Sequence, residues 1–112
     1  SELAGKILID LANPLDFSKG FPPTLSVCND DSLGEQIQRE FPSALVVKAL
    51  NTLNCELMVN PSKVPGDHVL FIAGNDAERS RIVRSACAIA AISRVFTIQP
   101  STPGSIFSGK PA

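Results

Sequence analysis

Two amide-bearing turns are the places where this chain could do chemistry. Ala12-Asn13-Pro14-Leu15 leaves one apolar run, residues 6–11, and Asn51-Thr52-Leu53-Asn54-Cys55 leaves another, residues 45–50. Carboxamide and hydroxyl groups donate and accept at once, so together they could orient a flat polar ring. The same residues also make turns for local reasons, Asn by tolerating the left-handed region and Pro by its fixed φ. Spacing alone leaves both readings open.

The other reactive side chains are scattered. Cys28, Cys55 and Cys87 are far apart and odd in number, and they lack the paired spacing of a zinc site. They read as reduced thiols, and no motif makes Cys55 a nucleophile. His68 follows Gly66-Asp67 and reads as a turn or surface residue, on a loop away from the chemistry. Asp30-Asp31 reads as negative charge at a helix start. Asp10 lies inside an apolar run and needs either a partner or a solvated edge. The chain contains no GxGxxG, no Walker A loop and no GxSxG.

The elements that would position the two turns follow from the hydrophobic pattern. Residues 6–11, 45–50 and 69–74 are short, nearly continuous runs of branched side chains. They do not alternate, which suits strands covered on both faces of a parallel sheet. Ser32-Leu33-Gly34-Glu35 has the spacing of a capping box, and Leu33, Ile37 and Phe41 then recur on one helical face until Pro42. A short helix is expected from Cys55 to Val59, between the turn and Asn60-Pro61. A longer helix, capped by Asn75 or Asp76, should run from about residue 77 to 92, with Ile82, Val83, Ala86, Cys87, Ile89 and Ala90 inward. Residues 94–99 could add a fourth strand, and residues 16–31 and 61–68 read as loop. Strands alternating with helices predict an α/β fold with right-handed crossovers and a parallel sheet of three to four strands. Residues 1–99 would form this domain, and residues 100–112, dominated by Pro, Gly and Ser, a disordered tail.

Composition excludes several partner classes. Ten basic residues stand against 11 acidic ones, with no run of either sign, so there is no footprint for nucleic acid or an anionic membrane surface. Trp and Tyr are absent, which removes the usual base-stacking platform. No apolar stretch reaches the ~20 residues of a membrane span. The start, Ser1-Glu2-Leu3-Ala4-Gly5-Lys6, is unlike a signal peptide, and a cytoplasmic location is expected.

Three runs carry a resemblance. Gly5-Lys6-Ile7-Leu8-Ile9-Asp10 leading into Asn13-Pro14-Leu15-Asp16 is similar to the middle of NADPH-dependent coenzyme F420 reductases. Val46-Val47-Lys48-Ala49-Leu50-Asn51-Thr52 resembles their next strand and turn, and residues 69–74 followed by Asn75-Asp76 resemble the strand after that. The likeness covers roughly residues 3 to 90. It implies a Rossmann-like domain that moves hydride between NADP and a 5-deazaflavin such as coenzyme F420. In such chemistry the protein mainly holds two ring carbons face to face. Carried over by position, Asn13, Pro14 and Leu15 would lie along the nicotinamide-ribose end of NADP. The turn Thr52-Leu53-Asn54-Cys55 would approach the nicotinamide ring, with the acceptor beyond it. Ala12 stands where family members often carry a hydroxyl, and Cys55 where they carry a small residue such as Ala.

Family members begin with a strand and a glycine-rich turn that this chain does not contain. The chain therefore corresponds to the C-terminal portion of such a domain, and as this piece it is expected to be inactive. The competing reading is a non-catalytic α/β module. It would act by pairing, as a homodimer or through an open strand edge beside residues 6–11.

Overall fold

The computed structural model describes residues 2–88 and 94–98. In chain order the elements are β1 (Ile7–Asp10), β2 (Leu15–Asp16), β3 (Thr24–Leu25), α1 (Leu33–Glu40), β4 (Leu45–Ala49), α2 (Cys55–Val59), a 3-10 turn (Pro61–Lys63), β5 (Val69–Gly74), α3 (Ala77–Ala88) and β6 (Arg94–Ile98). The apolar runs became strands and the periodic segments helices. The segment expected as plain loop after Asp16 contains one small addition: β2 and β3 pair as a two-stranded antiparallel ribbon. The expected extension of α3 to residue 92 and the tail from residue 100 lie outside the described residues.

The main sheet has the order β1-β4-β5-β6. β1 runs parallel to β4 and β5 parallel to β6, but β4 and β5 are antiparallel. The α/β class stands; the uniformly parallel sheet does not. The reason lies in residues 50–68, the connection from β4 to β5. A parallel neighbour needs a crossover that carries the chain back along the sheet, usually on a helix. Here the only helices are the five-residue α2 and a three-residue 3-10 turn. The chain turns at the end of β4 and comes straight back.

α3 covers one face of the sheet. Its Val83 and Cys87 pack on Val47 and Ala49 of β4 and on Leu70 and Ile72 of β5. Burying a Val, Leu or Ile side chain of this kind contributes about 1.5–3 kcal/mol. The inward stripe is narrower than the sequence suggests: Ser80, Val83 and Cys87 are buried, whereas Ile82 and Ala86 are exposed. α3 is capped by Asp76, whose Oδ1 accepts from the Arg79 amide at 2.9 Å. On the opposite face α1 lies against β4, tied by Gln38. Its Nε2 donates to the Ala44 carbonyl at 2.9 Å, and its Oε1 accepts from the Val46 amide at 3.2 Å.

Ser32 is the N-cap of α1, accepting from the Glu35 amide at 3.2 Å. The box closes differently from its usual form. The Ser32 hydroxyl donates to the Glu35 carboxylate at 3.1 Å, and the Ser32 amide donates instead to Asp31 Oδ1 at 2.9 Å.

Candidate site at the shared end of β1 and β4

Because β1 and β4 are parallel, the turns that leave them emerge at the same edge of the sheet, where open α/β sheets place ligands. The two turns meet there. Asn13 Nδ2 donates to the Asn51 carbonyl at 2.8 Å, and Asn51 Nδ2 donates back to Asn13 Oδ1 at 3.3 Å. This reciprocal pair leaves one N–H on Asn13 and the Oδ1 of Asn51 without a protein partner among the described residues. Asn51 follows Leu50, a non-glycine residue held at φ 64°. That left-handed conformation is costly for a branched side chain and points the next residue sharply away from the strand.

Asn13, Pro14 and Asn51 line a cleft of about 360 Å³. Leu25, Val27 and Cys28 of the β2–β3 ribbon form a second wall, and Asp31, Ser32, Leu33 and Gly34 at the start of α1 a third. Lys48 reaches it from the floor.

The charges around this cleft are internally neutralised. Lys48 and Asp10 are direct partners across β1 and β4, and they form an ion pair at 2.7 Å with side chains only 15% and 4% exposed. Asp10, which the sequence left needing a partner or a solvated edge, has the partner. Asp31 pairs with Arg39 at 2.7 Å. The Arg39 guanidinium, helped by the Gln36 amide, holds the Asp31 carboxyl down to about 2. What remains open in the cleft is neutral: carboxamides, peptide groups and apolar walls.

The sequence-predicted residues separate into two groups. Asn13 and Pro14 stand in the cleft. Leu15 is half-exposed in β2, beside it in the chain. Thr52 is exposed, and Leu53 turns inward against the core cluster. Asn54 caps α2, accepting from the Glu56 amide at 2.8 Å. Cys55 is exposed and belongs to a separate shallow surface with Glu56, Val59, Asn60 and Lys63. Sequence reasoning underrated Asn51 and missed Lys48, the α1 start and the Val27–Cys28 wall. Register could have found Lys48, since a buried acid on one strand asks for a base on its neighbour. His68 lines another surface with Pro61, Val64 and Gly66. Just before the antiparallel β5, it is at the same end of the sheet as the cleft but lines none of it.

Among the described residues no three His, Cys, Asp or Glu side chains gather as a metal site would require. No described helix is long and apolar enough to cross a membrane.

No family model and no curated protein matches the chain. Several solved structures are similar to it, two of which are informative. A protein of Arthrobacter sp. FB24, provisionally assigned as an F420-dependent NADP reductase, is 54% identical, with a TM-score of 0.84 over 87% of this chain. The hypothetical protein SMa0349 of Sinorhizobium meliloti is 27% identical, with a TM-score of 0.67 over 93%. The chain spans 44% of the first protein's length and 55% of the second's. Sequence and fold thus place it with F420-dependent NADP-reductase-like proteins.

Proposed function

We propose that this member of the F420-dependent NADP-reductase-like family supplies the nicotinamide end of an NADP site used for hydride transfer with a deazaflavin such as coenzyme F420. The observation that carries the reading is the Asn13–Asn51 couple in a cleft with no unpaired charge. Its spare N–H and spare carbonyl oxygen complement a primary carboxamide, which presents one acceptor and one donor group. Pro14, with Leu25, Val27 and Leu33, offers apolar surface for an uncharged ring. Leu15 and Thr52 adjoin this wall only in the chain, next to Pro14 and Asn51, whereas Leu53 packs on the core, Asn54 caps α2 and Cys55 lies on a separate surface. Bound NADP would supply the hydride-carrying carbon. The chain's residues orient it and shield it from water, which is most of what such a transfer needs.

The dinucleotide's phosphates are not accommodated by the described residues. The α1 start is filled by Ser32 and flanked by Asp31, and the α3 start is occupied by Asp76. Neither is a glycine-rich anion cradle. The chain alone should therefore hold NADPH only in the millimolar range, ~4 kcal/mol.

The test is nuclear magnetic resonance on 15N-labelled chain titrated with NADPH and with 2′-phospho-ADP-ribose, which lacks only the nicotinamide. NADPH should shift the side-chain amides of Asn13 and Asn51, and the truncated compound should not. Equal shifts, or none, would remove the reading.

A non-catalytic pairing role is favoured by a different observation. The outer edge of β1 has no strand partner among the described residues, and Ile9 and Leu11 beside it are exposed. Sedimentation showing dimers that a charged residue at Ile9 dissociates would support it; a monomer would not.

A further inference from the structure

Asp10 is buried and Lys48 half-buried, and their opposite charges are not explained by stability alone, because desolvating such a pair offsets much of its attraction. Their hydrogen bonds show a more specific arrangement. Asp10 Oδ2 takes the Lys48 ammonium at 2.7 Å, while Asp10 Oδ1 accepts from the Ala12 amide at 2.9 Å. The Lys48 ammonium also donates to the Ala12 carbonyl. Both polar groups of one residue's backbone are thus gripped by the two halves of one ion pair. Ala12 is the residue that delivers Asn13 to the cleft.

We infer that Asp10 and Lys48 are positioning residues that fix the Ala12 backbone, so that the Asn13 carboxamide closes on Asn51 and holds the two turns at one spacing. The opposing turn is set by a different device, the left-handed Leu50 that precedes Asn51. Each asparagine therefore follows a backbone unit whose conformation is imposed by the fold. The clip draws its strength from charge-assisted bonds at a partly buried site. Its location follows from strand register: Asp10 faces Lys48 only because Ile7 is paired with Leu45. This deepens the nicotinamide reading, but the clip itself is testable without any ligand.

The experiment compares the wild-type chain with Asp10→Leu/Lys48→Met, which removes the clip and leaves no charge buried. Replacing both members of a buried pair with apolar residues typically leaves stability unchanged or raised. The melting temperature should hold, while the Asn13 side-chain amide loses its contacts to Asn51 and its order parameter falls below about 0.6. NADPH should then bind about tenfold more weakly, as for one lost hydrogen bond. Asp10→Asn/Lys48→Met keeps an acceptor for the Ala12 amide and should recover part of the order. Intact Asn13–Asn51 contacts in Asp10→Leu/Lys48→Met would overturn the inference. Should that variant not fold, Asp10→Asn/Lys48→Met decides alone: Asn13 order equal to wild type there would overturn the inference, and a partial loss would support it. Absence of NADPH binding in the wild type would sink the nicotinamide reading alone and leave the amide-order result to decide the clip.

Discussion

Ser80 is fully buried on α3, and its hydroxyl has no hydrogen-bond partner among the described residues. A Cβ added at Gly74 would lie 3.1 Å from that hydroxyl, 3.3 Å from the Val46 carbonyl oxygen and 3.4 Å from Val47 Cγ2. Helix and sheet therefore approach as closely here as glycine permits. Ser80→Ala removes an unsatisfied polar atom whose burial costs about 1–3 kcal/mol, and it adds a few tenths through helix propensity. The variant should be more stable by about 1–2 kcal/mol and melt roughly 4–8 °C higher per kcal/mol gained. Gly74→Ala gains about 0.4–1 kcal/mol through the unfolded chain. Crowding of about 1–3 kcal/mol outweighs it, because the Val46 carbonyl is sheet backbone and cannot retreat. The double variant removes the nearest clash, so the two changes should couple favourably by about 0.5–1 kcal/mol. Urea unfolding followed by circular dichroism measures all three. A Ser80→Ala chain destabilised by 1 kcal/mol or more, to order of magnitude, would mean that the hydroxyl is satisfied in solution. Strict additivity would refute the crowding argument.

Ser32→Ala removes the N-cap of α1 and should cost about 1 kcal/mol in the same unfolding assay. Asp31 is held down to about 2 from an ordinary 3.8 by Arg39, so its contribution is complete above pH 3.8 and fades as pH falls toward 2. Asp31→Asn should lower the neutral-pH plateau slightly and flatten the acid limb of the stability profile in that window, bringing the two proteins together toward pH 2. The pair is solvent-facing, which keeps the effect small. Cys28 and Cys55 are exposed, whereas burial pushes the Cys87 thiol up. An Ellman titration should therefore show two fast thiols in the folded chain and a third only in denaturant.

Much of the fold was legible because its signals are local. The branched run at residues 69–74 reads as a strand on any face, and Ser32 with Glu35 marks a helix start without tertiary help. Strand direction is not local. Residues 45–50 and 69–74 look alike in either orientation, and only the shortness of the helices between them shows that the chain comes straight back. The α3 face was overdrawn for a related reason. Ile82 and Ala86 satisfy helical periodicity, but the contact with β4 and β5 runs through Val83 and Cys87 and leaves both exposed. Half of the candidate site was legible too: Asn13 and Pro14 follow from the strand-end rule. The rest depended on pairing. Lys48 acquires meaning only opposite Asp10, and Leu53 could not be recognised as a core residue until β4 and β5 were in place.

The antiparallel return of β5 also decides which residues can share the site. Had β5 run parallel to β4, Gly74-Asn75-Asp76 would have joined Asn13 and Asn51 at one edge, bringing a helix start and its free amides to the ligand. Instead the α3 start lies at the opposite edge, and the edge beside the cleft receives the beginning of β5 with His68. The helix start next to the cleft is that of α1, already filled by Ser32 and Asp31. The edge is thus poor in anion-binding groups and rich in carboxamides. On the proposed reading such a surface would suit the uncharged end of a dinucleotide, and its Asn13–Asn51 couple would do so only while the Asp10–Lys48 clip and the left-handed Leu50 hold both turns in place.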